Sequence, residues 1–568
     1  MGNLKTLIKN GRVINVFTAE IENTNILIEN DTIIGVGGYT DDDADVIYDV
    51  CGKYICPGFI DGHIHIESTM LMPSELAKVC VLHGTTSIVA DPHEIANVCG
   101  NAGIAYMLAS SDDIPLNVYI MLPSCVPSTE LDESGAVLNS DDLEPFYEHP
   151  RVLGLAEMMN YPGVLRDDSD VLTKIAGAKK RRLKVNGHAP LLSGKALDKY
   201  IAAGIGDDHE CSSFEEARER IRKGQWVMIR EGTSARNLDD LINLFDEPYA
   251  HRCILVTDDK HPADLLQNGH IDSIIRKAVR QGKNAVTGIK MATIQAAQCL
   301  GIENKGAIAP GYAADLLVLN DLDTIDVCDV YLGGKKIVDN KIMTDFKSPM
   351  VRSDVEKVVR NSFYMQKLSN ESFHINPKNR LCRVIKVIPG QLITEEWITD
   401  IDFQINNGID TQRDILKLAV AERHLNTAHI GLGFICGIGL KKGAIASSVS
   451  HDSHNLVIIG TNEEDMAVAG NRVRELGGGC VAVVEKTVIA EVPLPLAGLM
   501  SELPATDVAE QNELLRKAVY DMGANNDIEP FMSMAFMSLP VIPNLKMTTK
   551  GLVDVNKQEL VSLYVDYK

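Results

Sequence analysis

Short apolar runs recur between Ile55 and Asp259, and each ends in a polar or reactive cluster. Eight can be counted. Phe59-Ile60 leads into Asp61-Gly62-His63-Ile64-His65, Ser87–Ala90 into Asp91-Pro92-His93-Glu94, and Val118–Met121 into Pro123-Ser124-Cys125. Val152–Leu155 leads into Ala156-Glu157, Leu183–Val185 into Asn186-Gly187-His188, and Gly204–Gly206 into Asp207-Asp208-His209-Glu210. Val227–Ile229 and Ile254–Val256 end in Arg230-Glu231-Gly232 and Thr257-Asp258-Asp259. Successive runs lie roughly 20 to 35 residues apart, the length of a strand–helix unit. Helical patterns such as Ser74–Val81, Asp141–His149, Phe214–Lys223 and Leu238–Phe245 fill the gaps. Runs this apolar suit strands covered on both faces. The pattern predicts an α/β fold: a (β/α)8 TIM-type barrel over residues 57–305, with every strand end at one mouth.

The flanks read differently. Over residues 1–56, Leu7-Ile8 and Val13-Ile14 flank Asn10-Gly11, which predicts a hairpin turn. Ile26–Ile28 and Ile33–Val36 flank Asn30-Asp31 in the same style. A matching stretch, 306–349, holds Ala314–Leu319, then Val330–Leu332 and Lys336–Val338 around Gly333-Gly334. The two pieces are expected to join in a small β-sandwich. Residues 350–568 open with charged helical sequence, Val351–Lys367. β-like runs follow at Arg383–Ile388, His429–Gly433, Asn455–Ile459 and Cys480–Val484, with a helix over Glu463–Leu476. This predicts a separate C-terminal α+β domain.

Composition narrows the function. A chain of 568 residues exceeds one ordinary core, and a hydrophobic fraction of 45% can fill several. The formal net charge of −23 repels phosphates and anionic lipid, so neither nucleic acid nor a membrane is an expected partner. No apolar run reaches the roughly 18 residues a membrane span needs. A small neutral substrate fits this charge better than a polyanion. Twelve cysteines are scattered without a C-x-x-C pair, and no leader pattern stands at the N-terminus. That predicts free thiols in a reducing compartment, and a cytoplasmic location.

The strand ends carry the chemistry. His63 and His65 alternate along one strand, so both imidazoles project to the same side. Glu157 ends the fourth run, and a carboxylate, with two oxygens, can bridge two cations. His188 and His209 end the fifth and sixth runs, and Asp258 ends the eighth. Four imidazoles and two carboxylates, without thiolate, suit Mn²⁺, Fe²⁺ or Zn²⁺. Six ligands are too many for one tetrahedral catalytic Zn²⁺ with an open position, so two divalent ions are expected.

This ligand set resembles that of the amidohydrolase superfamily, in the subset with glutamate rather than a carboxylated lysine on strand four. Gly62–Ser68, Ala90–Val98, Leu122–Pro127, Ala156–Asn160, Gly187–Pro190, Ile229–Gly232 and Ala309–Asp315 are similar to bacterial and archaeal adenine deaminases, as is Ser450–Asn455 near the C-terminus. Asn186 departs from the aspartate expected there. The resemblance implies hydrolytic deamination of adenine to hypoxanthine and ammonia by a metal-bound hydroxide at a binuclear centre. Mn²⁺ or Fe²⁺ are the favoured ions, with Zn²⁺ as the alternative. Glu157 would bridge the ions, and Asp258 would handle protons. Glu67, His93, Glu94 and Glu231 are candidates to bind the purine or protonate its ring, and Arg230 to support a carboxylate. His451-Asp452-Ser453-His454 reads equally as a cover for the mouth, a further metal site or a polar loop. Cyclic-amide hydrolysis and non-catalytic purine or metal binding are the competing functions. A homodimer is the assembly expected of such barrels.

Overall fold

The computed structural model describes residues 4–233 and 235–566. Seven of the apolar runs fold into parallel strands, and the sixth, Gly204–Gly206, instead leads into a strand of two aspartates: β1 (Phe59–Ile64), β2 (Thr85–Ala90), β3 (Asn117–Leu122), β4 (Val152–Met158), β5 (Lys184–Gly187), β6 (Asp207–Asp208), β7 (Trp226–Arg230) and β8 (Cys253–Val256). β1 to β5 are hydrogen-bonded in sequence order, as are β6 to β8. Two seams close the barrel. Gly206 N–H donates to Val185 O at 3.0 Å, and Ile64 pairs in parallel with Asp258. The first seam depends on a glycine: a Cβ on Gly187 would lie 2.2 Å from Asp207 O, so only a bare backbone lets β5 approach β6 this closely. Ile60, Val89, Met121, Ala156, Met228, Ile254 and Val256 fill the barrel below its mouth. The interior is therefore a packed core, and chemistry is left to the strand ends.

Both flanks join one nine-stranded sheet, in which Leu316–Leu319 runs antiparallel to Tyr54–Pro57. The hairpin expected at Asn10-Gly11 does not form. Lys5–Ile14 is one strand, and its register against Ile21–Glu29 shifts between Ile8 and Gly11. Asn10 takes the left-handed conformation, with φ 61°. The Asn-Gly pair is used for a bulge, and the strand continues through it.

The C-terminal region forms an eight-stranded, mostly antiparallel sheet covered by the helix Glu463–Leu476. The helix expected over Val351–Lys367 is shorter, Ser353–Arg360. Beyond it the backbone is claimed by tertiary pairing, as where Tyr364 N–H donates to Arg423 O at 2.7 Å. This region sits on the barrel mouth. Ser501 N–H donates to Met70 O at 2.8 Å, and the Asn455 amide donates to Glu133 O at 2.6 Å. Among the described residues no helix is long and apolar enough to cross a membrane.

Candidate active site

The barrel seam sets the position of the first site residues. Asp61 on β1 accepts hydrogen bonds from Thr257 N–H at 3.1 Å and Thr257 Oγ1 at 2.5 Å, and its second oxygen lies 3.0 Å from His270 Nε2. This locks β1 to the end of β8. Asp258 follows with φ 60°, a conformation uncommon for a non-glycine residue. Its N–H donates to His63 O at 2.9 Å, and its carboxylate turns back over the two histidines. His65 Nδ1 lies 3.1 Å from the Asp91 carbonyl oxygen, which can only accept. The ring proton therefore sits on Nδ1, and the Nε2 lone pair faces the mouth.

Six side chains from β1, β4, β5, β6 and β8 meet there. Glu157 stands at the centre. One of its oxygens is 3.3 Å from His65 Nε2; the other is 2.6 Å from His188 Nδ1 and 3.1 Å from His209 Nε2. Asp258 Oδ1 is 3.2 Å from His65 Nε2 and 3.7 Å from His63 Nε2. The His63 and His209 rings stack 4.5 Å apart. Burial alone would raise the pKa of both carboxylates. Instead the His188 charge holds Glu157, and the Arg230 guanidinium holds Asp258, well below the usual range.

This donor set fits divalent cations. His63 Nε2 is buried, faces the cluster and has no hydrogen-bond partner. A polar atom left so is costly unless a further partner binds it. Acceptors and lone pairs converge at spacings that ligands of one ion adopt: His63, His65 and Asp258 form one such group, and His63, Glu157 and His209 another.

Around the cluster lie groups of uneven legibility. Arg230 Nη1 donates to Asp258 Oδ2 and to Glu210 Oε1, both at 2.6 Å, and Glu210 Oε1 also lies 3.4 Å from His209 Nε2 and 3.6 Å from His188 Nδ1, so Glu210 reaches the cluster directly. Only its place beside His209 in the sequence hinted at this. Glu67 has one oxygen fixed by Ile95 N–H at 3.0 Å and the other buried without a partner. Burial, with the Glu94 charge adding to it, pushes Glu67 up to about 7. His93 Nδ1 lies 3.6 Å from Glu157, and its Nε2 3.5 Å from Glu94. Glu94 in turn binds His451 Nδ1 at 2.7 Å and His454 Nε2.

Glu231, expected at the mouth, is elsewhere. Its carboxylate receives Leu238 N–H at 3.2 Å and Lys277 Nζ at 3.0 Å. Arg230 points inward, so the next residue points out. Asn186, the departure from an expected aspartate, donates its amide to Asp207 at 2.7 Å. A second carboxylate there would face the first.

Two family models cover most of the chain: the amidohydrolase family over residues 54–360 and the adenine deaminase C-terminal domain over 391–559. The adenine deaminase of Desulfatibacillum aliphaticivorans is 43% identical, over 98% of this chain and 97% of its own. Adenine deaminase 2 of Carboxydothermus hydrogenoformans is 44% identical, over 98% and 96%. The chain belongs to the adenine deaminase family of amidohydrolases. Membership brings divalent-metal hydrolysis with it, and the buried His and carboxylate cluster is where this chain can hold metal. The two models meet the fold at the barrel and at the domain that covers its mouth, so the second domain comes with the family and is no chance appendage.

Proposed function

We propose that this chain hydrolyses adenine to hypoxanthine and ammonia with two divalent cations held by His63, His65, Glu157, His188, His209 and Asp258. The observation that supports this most is the setting of Glu157, with one oxygen turned to His65 and the other to His188 and His209. A carboxylate so placed turns one oxygen to each side of the cluster. Imidazole and carboxylate donors without thiolate favour Mn²⁺ or Fe²⁺, with Zn²⁺ the alternative. Bound divalent ions would make water acidic enough to serve as nucleophile near neutral pH.

The chain's own residues do the rest. Asp258 Oδ1 faces the histidines, and Oδ2 is held by Arg230. It is placed to take a proton from the attacking water and return it to the departing amine at C6. Glu67 offers its unpartnered oxygen to the ring nitrogen next to C6, and protonation there makes that carbon more electrophilic. His93, between Glu157 and Glu94, lines the purine site. Glu231 stays outside the assignment because its carboxylate caps a helix and pairs with Lys277. In this reading the barrel, 57–305, carries the metals, and 350–568 closes the mouth. Twelve free thiols support a reducing, cytoplasmic setting, and a homodimer is the assembly proposed.

An adenine turnover assay on protein of counted metal content tests the proposal. Ammonia release should rise with occupancy toward two ions per chain. Metal-loaded protein that leaves the purine absorbance unchanged would overturn it.

A further inference from the structure

The loop 450–455 brings three ionisable side chains of the C-terminal domain against the barrel mouth, and both its backbone and its side chains are hydrogen-bonded there. Arg423 donates to His454 O, and the His424 Nε2 N–H donates to Ser453 O at 2.7 Å. His451 N–H donates to Ala535 O at 3.0 Å. From the barrel side Glu94 receives both His451 and His454. Ser450 N–H donates to His454 Nδ1 at 3.1 Å, so the proton of that ring is on Nε2, where it meets Glu94. A metal ion on Nε2 would need the opposite tautomer. His454 is thus a hydrogen-bond donor and not a ligand.

Asp452 lies between these two histidines, and nothing in the hydrogen bonding of the loop uses its outer oxygen. It is 4% exposed, its Oδ1 is 3.8 Å from His93 Nε2, and Oδ2 is buried without a partner. A buried acceptor with no donor is costly unless a ligand supplies one. His93 measures where that ligand atom would be. Its Nδ1 lies 3.6 Å from Glu157 and its Nε2 3.8 Å from Asp452 Oδ1, so the breadth of an imidazole and a contact at each end separate Asp452 from the central candidate ligand. A purine with C6 at that cluster extends its five-membered ring over about this distance, and in the free base that ring bears an N–H.

We propose that Asp452, delivered by the C-terminal domain, is a specificity-determining residue that accepts a hydrogen bond from the N–H of the purine's five-membered ring. This rests on the adenine reading above and extends it. The active site is then shared between two domains, and a base substituted on that ring loses the hydrogen bond.

The test compares adenine with 9-methyladenine in metal-counted wild type, Asp452→Ala and Asp452→Asn. Asp452→Ala should raise KM for adenine about 10- to 100-fold, with kcat within about threefold and metal content unchanged. Asp452→Asn, which keeps an oxygen, should recover part of the loss. The rate on 9-methyladenine, low in wild type, should not fall further in Asp452→Ala. An unchanged KM for adenine, an equal loss on both substrates, or a loss that follows metal content would each overturn the proposal. Wild type that releases no ammonia from adenine would instead defeat the underlying reading of the function.

Discussion

At the scale of single residues, the site turns on which atoms are left without partners and which are over-supplied. Glu157 is over-supplied: imidazoles from β1, β5 and β6 crowd its two oxygens. Glu157→Gln keeps the shape and removes the charge, and it replaces one carboxylate oxygen with an amide nitrogen that cannot ligate a cation. The expected result is loss of bound metal from about two ions toward one or none. A fall in kcat/KM of about 10³-fold or more, equivalent to about 4 kcal/mol of transition-state stabilisation, should accompany it. Metal analysis with steady-state kinetics on one preparation checks this, and two retained ions with intact rate would remove Glu157 from the centre. The candidate ligands were legible because each follows an apolar run, and the run itself says that the next side chains lie at a strand end. Glu231 was misplaced for the same reason: sequence marks the strand end but not its phase, and one residue decides which side faces the mouth. The grip of His451 and His454 on Glu94 was out of reach, since the partners lie 357 and 360 positions apart.

Among the elements, β5 and β6 are the most exacting pair. β6 has only two residues, Asp207 and Asp208, and both are spent on holding its neighbours. Asp207 accepts from Gly187 N–H at 2.9 Å, and Asp208 from Ala189 N–H at 3.0 Å and Glu210 N–H at 2.8 Å. His188 and His209 are thus set by carboxylates on the strand beside or before them. Gly187→Ala would drive a methyl into Asp207 O and the Ile205 side chain, at 2.2 and 2.8 Å. We expect a loss of about 1–3 kcal/mol in unfolding free energy, typical of overpacking, with weaker metal retention because His188 is the next residue. Denaturant unfolding and metal analysis check the two effects together; unchanged stability would mean that the seam is looser than its distances imply. At this scale the barrel read well from sequence, because seven of the eight buried parallel strands carry continuous apolar runs, while β6 was marked only by the run Gly204–Gly206 before its two aspartates. Asn10-Gly11 read poorly, because the same dipeptide serves a two-residue turn and a bulge, and only the partner strand Ile21–Glu29 chooses between them.

On the scale of the molecule, two domains meet over one mouth, and a single loop after β3 shows what their joining demands. Asp132 in that loop is 5% exposed. Its Oδ1 accepts from Glu133 N–H at 2.8 Å and, across the junction, from Asn455 Nδ2 and Thr549 Oγ1, both at 3.4 Å. None of these partners is a cation. Burial therefore wins and pushes its pKa from 3.8 up to about 6. The sign follows from linkage. A carboxyl whose folded pKa lies above its unfolded value favours the fold while protonated. That advantage is complete below about 4 and is lost as pH rises through about 6. Ionising Asp132 at neutral pH thus costs the fold about 3 kcal/mol at most. Asp132→Asn keeps an oxygen for Glu133, Asn455 and Thr549 and cannot ionise. The variant should match wild type in melting temperature near pH 4, draw ahead between about pH 4 and 6, and hold a constant lead above that. Melting curves of both proteins over pH 4–8 decide it, and a difference that stays flat across the range would show that Asp132 does not feel the junction. Because Asn455 closes the loop that carries Asp452, the same variant also asks whether the junction can be strengthened without moving the site: kcat and KM for adenine should stay within about twofold of wild type, since the substitution leaves every hydrogen-bond donor around Asp452 and Glu94 in place.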